Sequence, residues 1–253
     1  MDIQTYLKRL GYDKSVKPDV ETLIGLHRAH MLAVPFENLD IHLGRPIQLT
    51  EAALWEKIIL HRHGGFCYEL NGLFAWLLKQ IGFSVTYLNA RVFNHEGKRG
   101  REFDHLTLLV EIPGENERWL ADVGFGDSFI EPLRFEFSGE QAQGHSAFRL
   151  EKITDGFDLW RRNPEGNWER QYFFDLQART FPDEYEASCL YHQTSPKSSF
   201  TRQQIISRAT SNGRISLDGK FLTVTVNSKR RKRPVNHDGE YQDLLKAHFG
   251  VSI

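Results

Sequence analysis

Cysteine is scarce in this sequence, and long apolar stretches are missing. Only two cysteines occur among 253 residues. Cys67 and Cys189 lie far apart and in no CxxC spacing, which argues against a disulfide framework or a structural zinc site. No uninterrupted apolar run approaches the roughly 18 residues of a membrane span, and no basic stretch precedes an apolar one at the N-terminus. We therefore expect two free thiols in a cytoplasmic protein without membrane association.

An excess of charge of one sign is also missing. The 32 Lys and Arg residues nearly balance the 33 Asp and Glu residues, so the formal net charge is -1 at pH 7. Such a balance creates no global field for nucleic acid, and we expect no nucleic-acid partner. The sequence has no Walker or dinucleotide-type glycine motif, and His27 and His30 have no third ligand in a recognised spacing. We expect no metal site.

The apolar pattern divides the chain into three parts. The first part has helical spacing, most clearly in the segment that ends at Gly82. The spacing then changes to two, in short segments separated by turns such as PGEN and NPEGN, which predicts an antiparallel barrel or sandwich. The last part predicts a hairpin that turns at Asp218 and Gly219, followed by a terminal helix. The predicted parts span residues 1–83, 84–190 and 191–253.

Cys67 is a candidate nucleophile because it follows Gly64 and Gly65 and opens the clearest helical pattern. Unpaired N–H groups and the positive end of the helix dipole favour a thiolate, which predicts a lowered pKa for Cys67. The two glycines would allow a substrate to approach the backbone closely. In the alternative interpretation, Cys67 is a packed thiol and the glycines only form a tight turn, since free cysteine is among the most buried residue types.

A histidine and an aspartate on later segments complete a possible set of catalytic groups. His105 begins a probable strand, and Asp122 lies in or at the end of the next one. A cysteine, a histidine and an aspartate on neighbouring elements can act as nucleophile, base and orienting acid. Asp104 and Asp127 are alternative orienting acids. Taken singly, a residue such as His105 is more often a hydrogen-bonded histidine near a strand end, and one such as Asp122 is more often a turn or capping carboxylate.

Motifs around these residues resemble those of the arylamine N-acetyltransferase family, in its bacterial type. They occur in the family's order and at its separations, as VPFENLDIHLG, GGFCYELNGLF, DHLTLLV and WLADVGFG. The resemblance is strong over residues 1–135 and weaker afterwards. It implies an α+β, cysteine-protease-like fold with an N-terminal helical bundle, a central antiparallel β-barrel and a C-terminal α/β lid. It also implies that Cys67 accepts the acetyl group, that His105 is the base and that Asp122 orients it.

The resemblance further implies a reaction. Acetyl-CoA would serve as co-substrate, without a metal, and its acetyl group would pass through an acetyl-cysteine to an arylamine or arylhydrazine by a ping-pong mechanism, as in xenobiotic metabolism. By match to the family, Phe36, Val92, Phe125 and Phe200 would line the substrate pocket, although each is equally consistent with ordinary core packing. A cysteine hydrolase or an amide synthase with the same three residues is the alternative, and a non-catalytic binding module is a further one.

One residue departs from the family pattern. The family has arginine immediately before the double glycine, where it pairs with the glutamate of PFENL to hold the catalytic loop. Here that position is His63, and the matching glutamate is Glu37. Histidine is shorter and titrates near neutral pH, so either Arg62 or a protonated His63 would have to make the contact.

The basic run KRRKR, at residues 229–233, has three possible interpretations. Most such runs form solvated turns. A nucleic-acid or import role is not supported by the balanced net charge. The third possibility is that the run attracts the phosphates of CoA to the lid.

Overall fold

A computed structural model of the chain describes residues 1–144, 146–163 and 165–253. Its architecture is α+β, as predicted, with helices first, then a nearly closed antiparallel sheet of eight strands, and finally a five-stranded sheet with a terminal helix. In the described part of the chain, none of the helices combines the length and the apolar character needed to cross a bilayer.

The N-terminal part is helical because local capping signals and apolar spacing agree. Asp2, Asp19 and Thr50 each accept a hydrogen bond from the first turn of the helix that they precede. Gly11 and Gly82 adopt left-handed conformations at helix ends. The helices are α1 (Ile3–Leu10), α2 (Val20–Ala33), α3 (Leu39–His42), α4 (Glu51–Trp55), which continues as a π-helical turn (Glu56–Leu60), and α5 (Cys67–Ile81).

The eight-stranded sheet forms the centre of the molecule. Its spatial order is β5-β4-β3-β2-β9-β8-β7-β6, and all pairings between neighbours are antiparallel. The strands are β2 (Ser84–Val92), β3 (His105–Glu111), β4 (Arg118–Ala121), β5 (Leu133–Arg134), β6 (Gln141–Gln143), β7 (Ser146–Ile153), β8 (Gly156–Arg162) and β9 (Trp168–Phe174).

Two glutamine side chains join the edges of this sheet. Gln141 accepts a hydrogen bond from the backbone N–H of Arg134 and donates one to its carbonyl, at 2.8 and 3.0 Å. Gln143 accepts from the N–H groups of Ile130 and Glu131 and donates to the carbonyl of Glu131, at 2.8, 3.0 and 2.7 Å. Side-chain amides therefore replace backbone pairing at the seam of the barrel.

Strand β3 separates two hydrophobic cores because its side chains alternate. Leu106, Leu108 and Val110 pack into the core formed with the helices. Leu109 packs into the barrel interior, and Thr107 lies within 3.4 Å of the hydroxyl of buried Tyr172. His105 has the same parity as Thr107, so the alternation directs it toward the barrel side.

The second sheet contains strands from both ends of the chain. Its order is β1-β10-β11-β12-β13, all antiparallel. The strands are β1 (Phe36–Glu37), β10 (Ile205–Thr210), β11 (Gly213–Asp218), β12 (Phe221–Val226) and β13 (Lys229–Pro234). The hairpin predicted at Asp218 and Gly219 is confirmed, and the basic run forms an exposed edge strand instead of a turn. The helices of this part are α6 (Glu186–Thr194), α7 (Ser199–Arg202) and α8 (Asp238–Phe249).

Sheet pairing crosses the predicted division of the chain. Strand β1 lies in the first predicted part, yet it pairs with β10 in the last, with Phe36 opposite Ser207. The boundary predicted near residue 190 falls within helix α6. A change of apolar period marks where element types change, but it carries no information about which distant strands pair.

Replacing Gln143 by alanine tests the seam of the barrel. We expect the free energy of unfolding to fall by roughly 1–3 kcal/mol, because three backbone groups lose their partner. Urea unfolding measures this loss. Gln177→Ala, which removes an exposed side chain, is the matched control, and equal stability of the two variants would contradict the role of Gln143.

Candidate active site

Cys67 is the first residue of α5, as predicted, and its side chain is only 3% exposed. The two glycines before it are required by packing. A Cβ atom at Gly64 would collide with the carbonyl oxygen of Pro35, and one at Gly65 would lie 2.8 Å from the Cβ of Glu69. The backbone N–H of Glu37 donates to the carbonyl of Gly65 at 2.8 Å. The glycines thus let β1 lie against the loop, a reason different from the substrate approach that we expected.

His105 and Asp122 form a buried pair. The Nε2 atom of His105 lies 2.7 Å from Oδ2 of Asp122, and the two residues are 2% and 0% exposed. His105 begins β3, and Asp122 directly follows β4, its neighbour in the sheet. The alternative orienting acids have other partners: Asp104 lies 3.2 Å from His192, and Asp127 pairs with Arg161 and Arg214.

The Asp122 carboxylate accepts three further hydrogen bonds. They come from Nδ2 of Asn71 at 2.9 Å, from the N–H of Gly124 at 3.0 Å and from the hydroxyl of Tyr172 at 2.9 Å. Burial alone would raise the pKa of Asp122, but the charge and hydrogen bond of His105 and the donors Asn71 and Gly124 lower it below its usual value. Asp122 is therefore a carboxylate at neutral pH and can stabilise an imidazolium.

His27 fixes the backbone of Asp122. Its Nε2 accepts from the N–H of Asp122 at 3.1 Å, and its Nδ1 lies 2.7 Å from the carbonyl of Ile130. This arrangement needs a neutral imidazole with its proton on Nδ1. Burial lowers the pKa of His27 to about 4, against the raising effect of the Ile130 carbonyl, which agrees with a neutral ring. In the described part of the chain, no group of three His, Cys, Asp or Glu side chains could hold a metal ion.

Several contacts bring Cys67 next to the His105–Asp122 pair. Asn71, one turn further along α5, also donates to the carbonyl of Leu106 at 2.6 Å and accepts from the N–H of Val123 at 2.9 Å. A Cβ atom at Gly124 would lie 2.7 Å from the Cα of Cys67. Helix α5, the start of β3 and the segment after β4 therefore meet at these residues.

The pKa expected for Cys67 from the helix dipole alone was wrong. Burial raises the pKa of this thiol well above its ordinary value, a hydrogen bond from the backbone of Leu106 lowers it, and Asp122 raises it further. Burial therefore opposes ionisation of the Cys67 sulfur. A thiolate requires transfer of its proton to a neighbouring base.

The four predicted pocket residues are each partly buried. The ring of Phe125 lies 5.0 Å from that of His105, and Phe36 lies 6.1 Å from Phe200. Phe200 also contacts Phe66, the residue before Cys67, with ring centroids 5.7 Å apart. Val92 is opposite Tyr172 in the pairing of β2 with β9 and packs against the barrel core.

Lys57, which no sequence motif marks, lies beside Glu37. The carboxylate of Glu37 is 0% exposed, and one oxygen accepts from the N–H of Leu39 at 2.6 Å. The other lies 3.5 Å from Nζ of Lys57. His63 is partly buried; burial lowers its pKa, against the raising effect of Glu37 and Asp40. The side chain nearest in role to the family's arginine therefore comes from ten positions before Cys67 in the sequence.

Arg9 is a second residue that sequence reasoning missed. Its guanidinium is buried and donates to four backbone carbonyls, those of Ile58, Ala33, Arg62 and His63, at 3.0 to 3.3 Å. Arg62 itself is exposed and has a positive φ of 60°. The loop before the double glycine is thus held by a residue from α1, and no local sequence signal could reveal it.

A polar cleft of about 820 Å³ lies between the barrel and the second sheet. Arg161 and Arg214 line it, and both bind Asp127. Strand β12 contributes Thr223 and Thr225. On the edge strand, Arg230 is opposite Thr225 and faces the cleft, whereas its neighbour Arg231 has the opposite parity and is paired with Val224.

The chain is similar along its length to known acetyltransferases. A family model described as N-acetyltransferase matches residues 19–253. Arylamine N-acetyltransferase 1 of Homo sapiens is 36% identical over 279 residues, covering 100% of this chain and 95% of the human protein. A solved structure of the M. smegmatis arylamine N-acetyltransferase has a TM-score of 0.92 and 33% identity, covering 100% of this chain and 93% of that one. The Mycobacterium marinum arylamine N-acetyltransferase in complex with CoA gives the same TM-score at 29% identity, covering 99% and 93%.

Replacing Asn71 by alanine tests how the three segments are held together. We expect the free energy of unfolding to fall by roughly 2–3 kcal/mol, because the substitution leaves the buried Leu106 carbonyl and Val123 N–H without partners. Chemical denaturation measures it, with Asn167→Ala, an exposed asparagine, as control. A change no larger than that of the control would show that Asn71 does not hold the site.

Proposed function

The chain belongs to the arylamine N-acetyltransferase family, and on this basis we propose that it transfers the acetyl group of acetyl-CoA to arylamines and arylhydrazines through an acetyl-Cys67 intermediate. The observation that carries the proposal is the buried His105–Asp122 pair, 2.7 Å apart, next to a cysteine at a helix start. This arrangement supplies a nucleophile, a base and a carboxylate that keeps the base oriented.

In the first half-reaction, His105 takes the proton of the Cys67 thiol, and the thiolate attacks the carbonyl of acetyl-CoA. The Asp122 carboxylate stabilises the imidazolium through the 2.7 Å hydrogen bond. The thioester bond to CoA breaks as the bond to Cys67 forms, and the CoA thiolate receives the proton from His105. Because one thioester replaces another, this step is close to energetic balance. The burial that raises the pKa of Cys67 makes the nearby base necessary.

In the second half-reaction, the amine nitrogen attacks the acetyl-cysteine carbonyl and His105 accepts the amine proton. The Cys67 sulfur leaves and regains a proton, so the enzyme returns to its starting state. Aromatic amines are neutral at pH 7, which leaves the lone pair free for attack. Phe125 against His105, and Phe36 with Phe200, offer partly exposed aromatic surface beside the reacting groups, where an aryl ring can pack.

The polar cleft is suited to the nucleotide end of acetyl-CoA. Its arginine and threonine side chains can bind phosphate oxygens, and Arg230 extends the lining to the edge of the sheet. Asp127, which holds Arg161 and Arg214, lies two residues after Phe125. One loop therefore contributes both Asp127 to the cleft and Phe125 beside His105. A single acetyl-CoA molecule can accordingly place its phosphates in the cleft and its thioester at Cys67.

The two cysteines provide a test of the acetyl-enzyme. Incubation with acetyl-CoA should add one acetyl group to Cys67 and release CoA once, and an aromatic amine should make CoA release continuous. Cys67→Ser should abolish acetylation, whereas Cys189→Ser should retain it. Cys189 is a matched control because both cysteines are at most 3% exposed and burial raises the pKa of both thiols, to about 12 for Cys189. Intact mass and free-thiol release measure these outcomes.

Two results would count against this proposal. Continuous CoA release without amine would show transfer to water and favour the hydrolase alternative. Acetylation that persists in Cys67→Ser at the same position would overturn the assignment of the nucleophile.

Two adjacent arginines test the nucleotide position. Arg230→Gln should raise the KM for acetyl-CoA several-fold and weaken its dependence on salt, with kcat unchanged, because a phosphate contact in the cleft is lost. Arg231→Gln removes the same charge from the other face of β13 and should leave the KM close to that of the wild type. Equal effects of the two substitutions would place the nucleotide elsewhere.

A further inference from the structure

Lys57 lies at the centre of three carboxylates from three different segments. Its Nζ atom is 2.7 Å from Oδ2 of Asp40 in α3, 2.8 Å from Oε1 of Glu69 in α5 and 3.5 Å from Oε1 of Glu37 in β1. The lysine side chain is 15% exposed, and Glu37 and Glu69 are almost fully buried. One cation in the π-helical turn before the catalytic loop therefore connects β1, α3 and the start of α5.

Glu69 links this cation to the nucleophile. While Oε1 of Glu69 binds Lys57, Oε2 accepts from the backbone N–H of Phe66 at 3.0 Å. Phe66 immediately precedes Cys67, and Glu69 lies in the first turn of the helix that Cys67 opens. The carboxylate of Glu69 thus determines where the backbone enters this helix. Within the described residues, Lys57 is the only cation that forms an ion pair with Glu69.

The other side of the loop is held independently. Arg9 binds the carbonyls of Arg62 and His63, whereas Glu69 binds the N–H of Phe66. Loss of Lys57 therefore leaves the carbonyl contacts in place and acts on the Cys67 side of the double glycine.

We propose that Lys57 is a positioning residue for Cys67: through the ionised carboxylate of Glu69, it holds the residue before the nucleophile in the orientation that acylation requires. This inference deepens the proposed function and rests on it. Lys57 touches no substrate in this scheme, and its effect on the sulfur passes through Glu69 and Phe66.

The charges around Glu69 make its contact with the N–H of Phe66 sensitive to pH. Burial and the nearby Glu37 raise the pKa of Glu69 to about 7, although Lys57 and the N–H of Phe66 lower it. Burial would lower the pKa of Lys57, but Glu69, Glu37 and Asp40 raise it above the ordinary value, so Lys57 remains a cation.

Further titratable groups face the cluster from the surrounding elements. They are His63 from the loop, Arg45 beside Asp40 at 3.8 Å, the thiol of Cys189 from α6, Glu56 and His61 in the cleft next to Lys57, and Tyr241 of α8 near Glu37. Burial lowers the pKa of His63, which disfavours its imidazolium form, and it raises the pKa of Cys189 to about 12, so the Cys189 thiol carries no charge near pH 7. Glu69, with a pKa of about 7, changes charge in this range, and acidification below about pH 7 should weaken its contact with the N–H of Phe66.

We expect substitutions at Lys57 and Glu37 to shift the pH dependence of Cys67 acetylation in opposite directions. The single-turnover rate of Cys67 acetylation should fall as the pH decreases through the pKa of Glu69. Lys57→Met removes the charge that lowers this pKa, so the acid limb of the profile should move up by about 1–3 pH units. Glu37→Gln removes a charge that raises it, so the limb should move down. Lys57→Arg should keep the wild-type limb, and Glu69→Gln should remove the contribution of Glu69 to it.

Controls separate positioning from folding and from the proposed function. Lys79→Met, at the other end of α5, removes a lysine charge and should leave the profile unchanged. Circular dichroism reports whether each variant folds, and Glu37→Gln and Glu69→Gln provide the test if Lys57→Met does not fold. Alkylation of Cys67 by iodoacetamide over the same pH series needs no acetyl-CoA. Failure of acetylation in the wild type would therefore overturn the function while alkylation still tests the positioning.

The inference is overturned if Lys57→Met lowers stability but leaves the acid limb in place. It is also overturned if Lys57→Met and Glu37→Gln shift the acid limb in the same direction, because a general loosening of the loop would affect both variants alike.

Discussion

The structure around the site depends on a single buried carboxylate. Asp122 is inaccessible to solvent, and its hydrogen bonds come from α5, β3, β9 and the segment after β4, through Asn71, His105, Tyr172 and Gly124. A buried charge is costly unless donors satisfy it, so each of these elements must reach its position for the fold to be stable. Of these donors, His105, Asn71 and Gly124 also lower the pKa of Asp122, and the requirement of stability therefore also prepares the histidine for proton transfer.

Strand β3 explains how the helical part and the barrel share this carboxylate. Its even-numbered apolar residues pack against the helices, while Leu109 packs into the barrel. His105 starts the strand on the barrel-facing parity, opposite Ala90 of β2. The start of β3 consequently lies where both cores end, and helix α5 brings Cys67 to the same place. Residues at the junction of two close-packed cores are held by contacts from both.

The sequence predicted the class of fold and brought attention to Cys67, His105 and Asp122, because these residues sit at element boundaries that periodicity makes visible. It did not reveal Arg9, His27 or Lys57, whose partners lie in segments distant along the chain or in backbone groups. Their contacts appear only once helices α1, α2 and the π-helical turn pack against the loop. The predicted lowering of the Cys67 pKa was wrong for a related reason: the helix dipole is a local property, whereas burial depends on the whole tertiary structure. The roles of Phe36, Val92, Phe125 and Phe200 stay predictions.

Strand β1 connects the loop before Cys67 to the second sheet through backbone hydrogen bonds. On one side, the N–H of Glu37 donates to the carbonyl of Gly65. On the other side, β1 pairs with β10, and the N–H of Asn38, the residue after β1, donates to the carbonyl of Ile205 at 3.2 Å. Two residues thus act as a tether between the C-terminal sheet and the peptide that precedes the nucleophile. A displacement of β10 would therefore act directly on the peptide that precedes Cys67.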